Sequence, residues 1–471
     1  MNEQSSTQHN VEAEQTVLGI VILNNEALQK CVGLMPNHFY DPVHQRIFDA
    51  CVEGIGAGRL VSPVTLKHLF AGDVGLEELG GHKYLLNLAG SSPPQNTVGE
   101  FAKIVKDLWA RRTLSEKLSL AQDRMADPKE DPHMVLSDME ADVAEISAAS
   151  SDAPLVRSFI TGMTQAVESI STAYRGGTGL AGVSSGLLKL DKATGGFAAG
   201  DMVVIAGRPG MGKTALGLNI AVKAAMQGTG VFFASLEMLS QQLAMRFFSQ
   251  VQAELGNKTQ YSRMRKGDVS EEEFKNIVLS AKSNEHLPLI TAEPECRDVR
   301  ALRMATRRAE QVFRRTDTPL GLVVIDYLQM MRVVDAKSQI ERISKASNFC
   351  KALALDFGVP VIVMAQLNRG VESRDDKRPM LSDLRDSGEI EQDADTVIFP
   401  YREEYYLHLR KPDGTNIEKL ADWEAEAAAA KNKMDLIIGK QRSGALSSPQ
   451  IYCDLAFNFM VDEPPQLDMG F

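Results

Sequence analysis

The sequence predicts a chain in two parts: an all-helical N-terminal region, followed by an α/β domain with a mostly parallel sheet and helices on both faces. Two observations support this fold class. From Asn10 to about Ile146, apolar residues recur at helical spacing. From Val183 onward, short apolar runs typical of buried strands alternate with helical segments, which is the order found in parallel sheets covered on both sides.

Length and composition are those of an ordinary globular protein. The 471 residues suffice for two or three domains, and 44% are hydrophobic and 24% charged. No apolar run reaches the roughly 18 residues of a membrane span, and the polar N-terminus shows no secretory signal. The five cysteines lack C-x-x-C spacing, so we expect neither disulfides nor a thiolate metal site, and a cytoplasmic location.

The charge balance restricts how this chain could bind nucleic acid. Its formal net charge is −11, which argues against a surface coated with phosphate-binding groups. Binding confined to one face or one channel is still compatible with this charge.

The N-terminal helices begin at recognisable signals. Asn10 can cap a helix that runs to Leu23, and Asp41-Pro42 and Ser62-Pro63 each combine a cap with proline at the first helical position. Thr97 precedes a longer helix with one apolar face. This region carries no catalytic constellation, so we expect either assembly and partner docking or a purely structural role.

A linker separates the two parts. Residues 147–154 are rich in Ala, Ser, Asp and Pro, and the segment from Phe159 to Tyr174 then carries apolar residues at spacings typical of one helix face. This helix can pack on its own chain or on a neighbouring subunit. We therefore expect a helical N-terminal assembly or partner domain at 1–150, a linker with an amphipathic helix at 151–182, and the α/β domain at 183–471.

The phosphate-binding motif follows the first strand of the α/β domain. Met202–Ala206 is an apolar run typical of a buried strand, and Ala215–Gln227 reads as a helix. Between them the chain matches G-x-x-x-x-G-K-[ST], so a chance glycine turn is the weaker alternative. Backbone amides would hold phosphate oxygens, the lysine would reach the β- and γ-phosphates, and the threonine would bind Mg²⁺. The nucleotide-binding residues are Gly207, Arg208, Pro209, Gly210, Met211, Gly212, Lys213 and Thr214.

Polar residues end three further predicted strands. Asp326 follows Leu322–Ile325 and would hold Mg²⁺ together with the loop threonine. Glu237 follows a strand from Val231 and could orient the attacking water, and Gln366 could detect the γ-phosphate. Since ligands of parallel sheets bind beyond the carboxyl ends of the strands, these positions favour function over simple capping. The other predicted strands are Val359–Ala365, Thr396–Phe399 and Met434–Gly439.

Two later segments carry charges suited to anions. Lys440 and Arg442 follow the last predicted strand and can stabilise a transferring phosphoryl group, in cis or from a neighbour, unless the turn is merely solvated. The acidic segment Leu384–Asp395 contains one arginine and one glycine, which indicate a backbone approach to an anion.

Together these residues resemble the replicative DNA helicases of the bacterial and phage DnaB type. That family is a group of hexameric motors with a RecA-like P-loop ATPase domain behind an all-α N-terminal domain and a linker helix. The resemblance covers nearly the whole chain. Its motifs are Glu12–Gly19, Gly207–Thr214, Ser235–Met238, Ile325–Gln329, Ser382–Gly388 and Ile390–Asp395.

The resemblance implies a role for each motif. Lys213 and Thr214 match the phosphate-loop pair, Glu237 the catalytic glutamate, Asp326 the magnesium aspartate and Gln366 the γ-phosphate glutamine. Two further sets lie outside this pocket. Lys440 and Arg442 match the pair that reaches into the next subunit's ATP, and Arg385, Asp386 and Gly388 match the loop that grips single-stranded DNA.

The resemblance also implies binding partners, and this sequence departs from the family pattern at two places. It implies a homo-hexamer that binds ATP, Mg²⁺ and single-stranded DNA and contacts a helicase loader and a primase, with no membrane association. Asp386 stands where the family has glutamate, and Ser443–Pro449 departs from the family's usual continuation. A RecA-type strand-exchange ATPase is the alternative enzyme, and a nucleotide-controlled assembly platform is the non-enzymatic one.

Overall fold

The computed structural model describes two compact units. They comprise residues 1–163 and 164–471. The residues that can be described are 8–90, 97–132, 134–136, 138–139, 142–143, 146, 159–175, 180, 182–334, 336–412 and 416–464. None of the helices in these ranges is long and apolar enough to cross a membrane.

The N-terminal unit is helical, and four of its helices begin where the sequence predicts, after Asn10, Asp41, Ser62 and Thr97. The Asn10 side chain accepts a hydrogen bond from the Ala13 N–H at 2.9 Å, while Asp41 and Ser62 each cap a helix that starts with proline. The inward faces bury Val17, Phe48 and their neighbours in one apolar core. The helices are α1 (Val11–Leu23), α2 (Pro42–Gly56), α3 (Pro63–Leu69), α4 (Val74–Glu78), α5 (His82–Gly90) and α6 (Val98–Ala126).

The predicted amphipathic helix between the two parts is present as α7, Phe159–Arg175. Its apolar side chains are exposed: Phe159 by 83%, Val167 by 64% and Tyr174 by 86%. An exposed apolar face of this size is unusual for a helix in water.

The second unit contains a nine-stranded sheet. In order across the sheet the strands are β3, β2, β4, β5, β1, β6, β7, β8 and β9. Strands β3 to β6 run parallel in this order, whereas β7, β8 and β9 are antiparallel to their neighbours. Their bounds are β1 Met202–Gly207, β2 Gly230–Ser235, β3 Leu289–Ala292, β4 Leu320–Asp326, β5 Val361–Gln366, β6 Thr396–Tyr401, β7 Lys433–Gln441, β8 Gln450–Asp454 and β9 Phe459–Val461.

Helices cover both faces of this sheet, as predicted. One face packs against α13 and α14, whose buried residues include Leu302, Phe313 and Leu353. The other face packs against α8 and α9, including Leu190 and Leu216. The helices of this unit are α8 (Leu188–Thr194), α9 (Lys213–Met226), α10 (Ser240–Glu254), α11 (Tyr261–Lys266), α12 (Glu271–Ser283), α13 (Val299–Arg315), α14 (Gln339–Phe357), α15 (Gly388–Asp393), α16 (Glu403–Leu409) and α17 (Ile417–Ala430).

Strand direction corrects one expectation. Six strands were predicted within a few residues, but β3, β8 and β9 were not predicted. The rule that ligands bind beyond the end of a strand does not apply to β7, because β7 pairs antiparallel to β6. The end of β7 therefore lies at the amino edge of the parallel strands, opposite the phosphate loop.

Candidate active site

The phosphate loop begins where β1 ends, at the carboxyl edge of the sheet. Gly210 and Gly212 have φ angles of 83° and 88°, which other residues rarely adopt. A Cβ at residue 210 would lie 2.9 Å from Cε2 of Tyr405, and one at residue 212 would lie 3.0 Å from Cδ2 of Leu455. Both glycines are therefore required by backbone conformation and by close packing. The loop leads directly into the N-terminus of α9, which favours anions.

Lys213 is folded back over this loop. Its Nζ donates hydrogen bonds to the carbonyl oxygens of Gly207 at 2.8 Å and of Arg208 at 3.3 Å. Burial lowers the pKa of Lys213 to about 8; the charge of Arg208 lowers it further, whereas those of Asp326 and Glu237 raise it. A polyanion bound in the loop would favour the protonated lysine.

Thr214 and Asp326 meet beside the loop. The Thr214 hydroxyl donates a hydrogen bond to Oδ2 of Asp326 at 2.8 Å. Burial raises the pKa of Asp326 to about 6, Glu237 adds to that effect, and the Thr214 hydrogen bond and the Lys213 charge oppose it. A hydroxyl and a carboxylate at this separation are the hard oxygen donors that Mg²⁺ prefers.

Glu237 and Gln366 lie at neighbouring strand ends. The N–H of Leu236 donates to the carbonyl of Asp326 at 2.8 Å, which fixes the turn that carries Glu237. The Glu237 side chain is exposed, and its charge acts on Lys213, Asp326 and Tyr327. Gln366 pairs with Gly207 across β5 and β1. The predicted pocket residues are thus brought together at one edge of the sheet.

Lys440 and Arg442 lie at the opposite edge of the same sheet. Lys440 Nζ donates to the carbonyl of Glu391, and Arg442 donates to the carbonyl of Gln392 at 2.8 Å. Arg442 also forms an ion pair of 3.0 Å with Asp395, a buried carboxylate. Asp395 in turn accepts from the Met202 N–H at the start of β1, at 2.8 Å. The structure therefore does not bring this pair to the phosphate loop of its own chain.

The predicted DNA-binding residues lie between the phosphate loop and Lys440 in the sequence. Arg385 and Asp386 fall in a short 3₁₀ helix, Leu381–Ser387, and Gly388 begins α15. Their side chains lie outside the part of the chain that the structure describes. The preceding Leu384 is buried against the sheet, which anchors this segment to the domain.

Three residues near the pocket escaped the sequence analysis. Arg246 in α10 lowers the pKa of Asp326, and its guanidinium stacks over the Tyr261 ring at 4.7 Å. Gln329 exchanges hydrogen bonds with the backbone N–H and C=O of Gln366, both at 3.1 Å. Glu372 binds Arg208. Gln329 lies inside a recognised motif, whereas Arg246 and Glu372 have no local signal because only the tertiary fold brings them near the loop.

Comparisons with known proteins agree with this geometry. The model of the DnaB-like helicase C terminal domain matches residues 182–460, and that of the N terminal domain matches residues 6–107. A replicative DNA helicase DnaB of Geobacillus stearothermophilus is 34% identical over 97% of this chain and 95% of its own length. One from Rickettsia bellii is 32% identical over 96% and 93%.

Two solved structures are also similar. A DnaB-like replicative helicase studied with primase covers 97% of this chain and 100% of its own, with a TM-score of 0.65 and 27% identity. The second structure is of an ATPase domain; it covers 65% of this chain and 99% of its own, with a TM-score of 0.55 and 29% identity. This chain therefore belongs to the DnaB-like family of replicative DNA helicases, which are ATP-hydrolysing enzymes.

Proposed function

We propose that this chain forms a homo-hexameric ring that encircles single-stranded DNA and translocates along it, unwinding the duplex at the replication fork. One observation carries the proposal: the phosphate loop and Lys440 with Arg442 lie at opposite edges of one sheet. β1 between them has six residues, and a strand of that length spans about 20 Å. A side chain cannot cover that distance, so Lys440 and Arg442 can act on ATP only in a neighbour's pocket, and a head-to-tail ring supplies one.

Within the pocket each residue has a chemical role. Backbone amides of Gly207–Thr214 and the Lys213 ammonium hold the β- and γ-phosphates. The Glu237 carboxylate accepts a proton from the attacking water, and Gln366 contacts the γ-phosphate. Lys440 and Arg442 of the adjacent subunit stabilise the charge that develops on the transferred phosphoryl group.

Thr214 and Asp326 are the residues that would hold Mg²⁺. Their oxygens lie together beside the loop. Burial disfavours the charged form of the Asp326 carboxylate, and a bound cation would stabilise that form. When bound there, the ion neutralises phosphate charge.

Arg385, Asp386 and Gly388 line the channel and contact DNA. Arg385 and backbone amides of this segment bind phosphates. Phosphate contacts carry no sequence information, which a translocating motor requires. Because the contacts are few and repeated around a ring, a chain with a net charge of −11 can still bind DNA.

We also infer a helicase loader and a primase as protein partners and the cytoplasm as the compartment. The name of one similar structure includes interactions with primase, which supports that partner. The N-terminal family match at 6–107 counts against the strand-exchange alternative, which needs no such domain.

Two variants test the shared pocket. Lys213→Ala should abolish DNA-stimulated ATP hydrolysis, because the loop loses its only ammonium. Arg442→Ala should bind nucleotide within about threefold of the wild type but lose at least about 100-fold in kcat, the scale of a single transition-state donor. Arg303→Ala, which removes an arginine of similar exposure from α13, should leave kcat unchanged.

Mixing the two variants gives the decisive result. An interface between an intact loop of one variant and an intact arginine of the other is complete, so a mixture should regain part of the activity. If no mixing ratio restores hydrolysis although both variants form rings, the shared pocket is wrong.

A further inference from the structure

Gln366 is joined to the proposed DNA-binding residues by a stretch of chain that the proposed roles leave unexplained. Residues 366–383, here called the connecting segment, start at Gln366 and end two residues before Arg385. The segment is therefore continuous with the γ-phosphate glutamine at one end and with the DNA-binding residues at the other.

Arg208 of the phosphate loop holds the beginning of this segment. Its Nη1 donates to the carbonyl of Leu367 at 2.9 Å, and its Nε donates to Oε1 of Glu372 at 2.8 Å. Arg208 is only 7% exposed, whereas the Glu372 side chain is half-exposed. The guanidinium is thus committed to the connecting segment, although Arg208 was predicted as a nucleotide ligand.

Hydrogen bonds also join the beginning of the connecting segment to its end at Asp383. The N–H of Asn368 donates to the carbonyl of Asp383 at 3.2 Å. Oδ2 of Asp383 accepts from Arg374 and from the Met380 N–H, both at 2.8 Å. A continuous series of contacts therefore leads from Arg208 through the connecting segment to Asp383.

Nucleotide binding changes the charge that Arg208 experiences. Lys213 Nζ donates to the Arg208 carbonyl at 3.3 Å, and the Arg208 charge lowers the pKa of Lys213, so phosphates bound at Lys213 also act electrostatically on the Arg208 charge. A polyanion in the loop adds a second negative charge that acts on the guanidinium while Glu372 and Leu367 hold it. The bonds to Leu367 and Glu372 should therefore differ between the empty and the nucleotide-bound states.

We propose that Glu372, acting through Arg208, is a positioning residue that couples nucleotide binding to the grip of residues 385–388 on single-stranded DNA. This inference rests on the proposed function. A coupling of this kind between two sites typically changes affinity by about 5- to 150-fold. Glu372 touches neither ATP nor DNA in this scheme, so it should affect the coupling and not the binding of either ligand alone.

The test compares Glu372→Gln with the wild-type hexamer. The dissociation constant for an oligothymidylate is measured with and without a non-hydrolysable ATP analogue, and the ratio of the two is the coupling factor. We expect this ratio to fall by at least about fivefold in Glu372→Gln. The KM for ATP without DNA, and DNA affinity without nucleotide, should stay within about twofold of wild type.

Two further variants complete the design. Glu310→Gln removes a carboxylate from an Arg–Glu pair with the same 2.8 Å separation on α13, and it should leave the ratio unchanged. Asp383→Asn, at the far end of the connecting segment, should lower the ratio as Glu372→Gln does. Thermal unfolding midpoints equal to that of wild type show that each variant is folded.

The outcomes separate the two levels of inference. If the wild type shows a nucleotide-dependent ratio and Glu372→Gln retains it, the positioning role is wrong and the proposed function stands. A higher KM for ATP with an unchanged ratio also overturns it, because Glu372 would then serve only the nucleotide pocket. A wild type without any nucleotide-dependent DNA binding overturns both.

Discussion

His38 shows how burial sets the ionisation of a single side chain in the N-terminal unit. It is only 2% exposed, its ring lies 4.3 Å from that of Trp109, and its Nδ1 accepts a hydrogen bond from the Met35 N–H at 3.1 Å. Burial, together with the positive charges of Lys106 and Arg112, lowers the pKa of His38 to about 4 from its ordinary 6.5. The folded protein therefore holds this imidazole neutral.

We predict that this histidine makes the N-terminal unit less stable in acid. Between pH 6.5 and 4 the unfolded chain binds a proton that the folded chain does not, so the stabilisation is complete above pH 6.5 and is lost as the pH falls toward 4. The loss is at most about 3 kcal/mol. Hydrogen exchange of peptides covering residues 35–44, corrected for intrinsic rates, measures this opening in the intact protein.

His38→Gln should flatten that pH dependence, since glutamine does not titrate. His286→Gln is the matched control, because the His286 side chain is 94% exposed. Equal pH slopes for these two variants would contradict the assignment to His38.

Some pocket residues can be predicted from the sequence, and others cannot. Lys213, Thr214 and Asp326 were predictable because each follows a strand or a glycine loop, and the structure brings these three together. Arg246 was not, because it lies mid-helix with no neighbouring signal and reaches Asp326 only through the fold. The side-chain contacts of Arg385 remain a prediction.

At the level of elements, α16 and the phosphate loop pack against each other. Tyr405 of α16 lies against Gly210, while Tyr406 and Tyr401 bury Met211. The loop conformation therefore depends on an aromatic helix that is far away in sequence.

We predict that Gly210→Ala raises the KM for ATP by at least about tenfold. The substitution combines about 1–2 kcal/mol of left-handed backbone strain with a Cβ that would lie 2.9 Å from the Tyr405 ring. Steady-state ATPase assays measure the effect.

Gly195→Ala provides the control for backbone strain alone. Gly195 ends α8 with a φ of 79°, and a Cβ there would meet open space. Its KM should stay within about twofold of wild type. A similar KM increase in both variants would mean that the Tyr405 contact is unimportant.

Helix starts were the most predictable elements, because caps such as Asn10, Asp41 and Ser62 act locally. Strand direction was the least predictable. Apolar runs identify β1 and β7 equally well, but an apolar run does not indicate that β7 pairs antiparallel to β6. Short strands such as β3 and β9 carry too few residues for a periodic signal.

At the level of the whole molecule, α7 and the helicase unit carry apolar surfaces of similar character. The exposed face of α7 is matched by exposed Phe274, Val278 and Leu279 on α12, beside a cavity of about 380 Å³ between α10 and α12. We propose that α7 of one subunit occupies this groove on the next.

We predict that Val167→Asp shifts the hexamer toward smaller species, because a charge would then be buried in the interface. Val278→Asp, on the exposed apolar face of α12 beside this groove, should do the same, and native mass spectrometry measures the distribution. Ile417→Asp, which alters an 82% exposed residue on α17, should leave the hexamer intact. Intact hexamers in both Val167→Asp and Val278→Asp would refute this docking.

The reversal of β7 also affects how many pockets can work at once. If Arg442 completes a neighbour's pocket as proposed, a row of n chains contains n − 1 complete pockets and only ring closure creates the last one, because each chain has its phosphate loop and Arg442 at opposite edges of the sheet. A ring opened to admit a DNA strand must therefore leave one nucleotide unhydrolysed at the gap. The rate of ATP hydrolysis would then report whether the ring is closed.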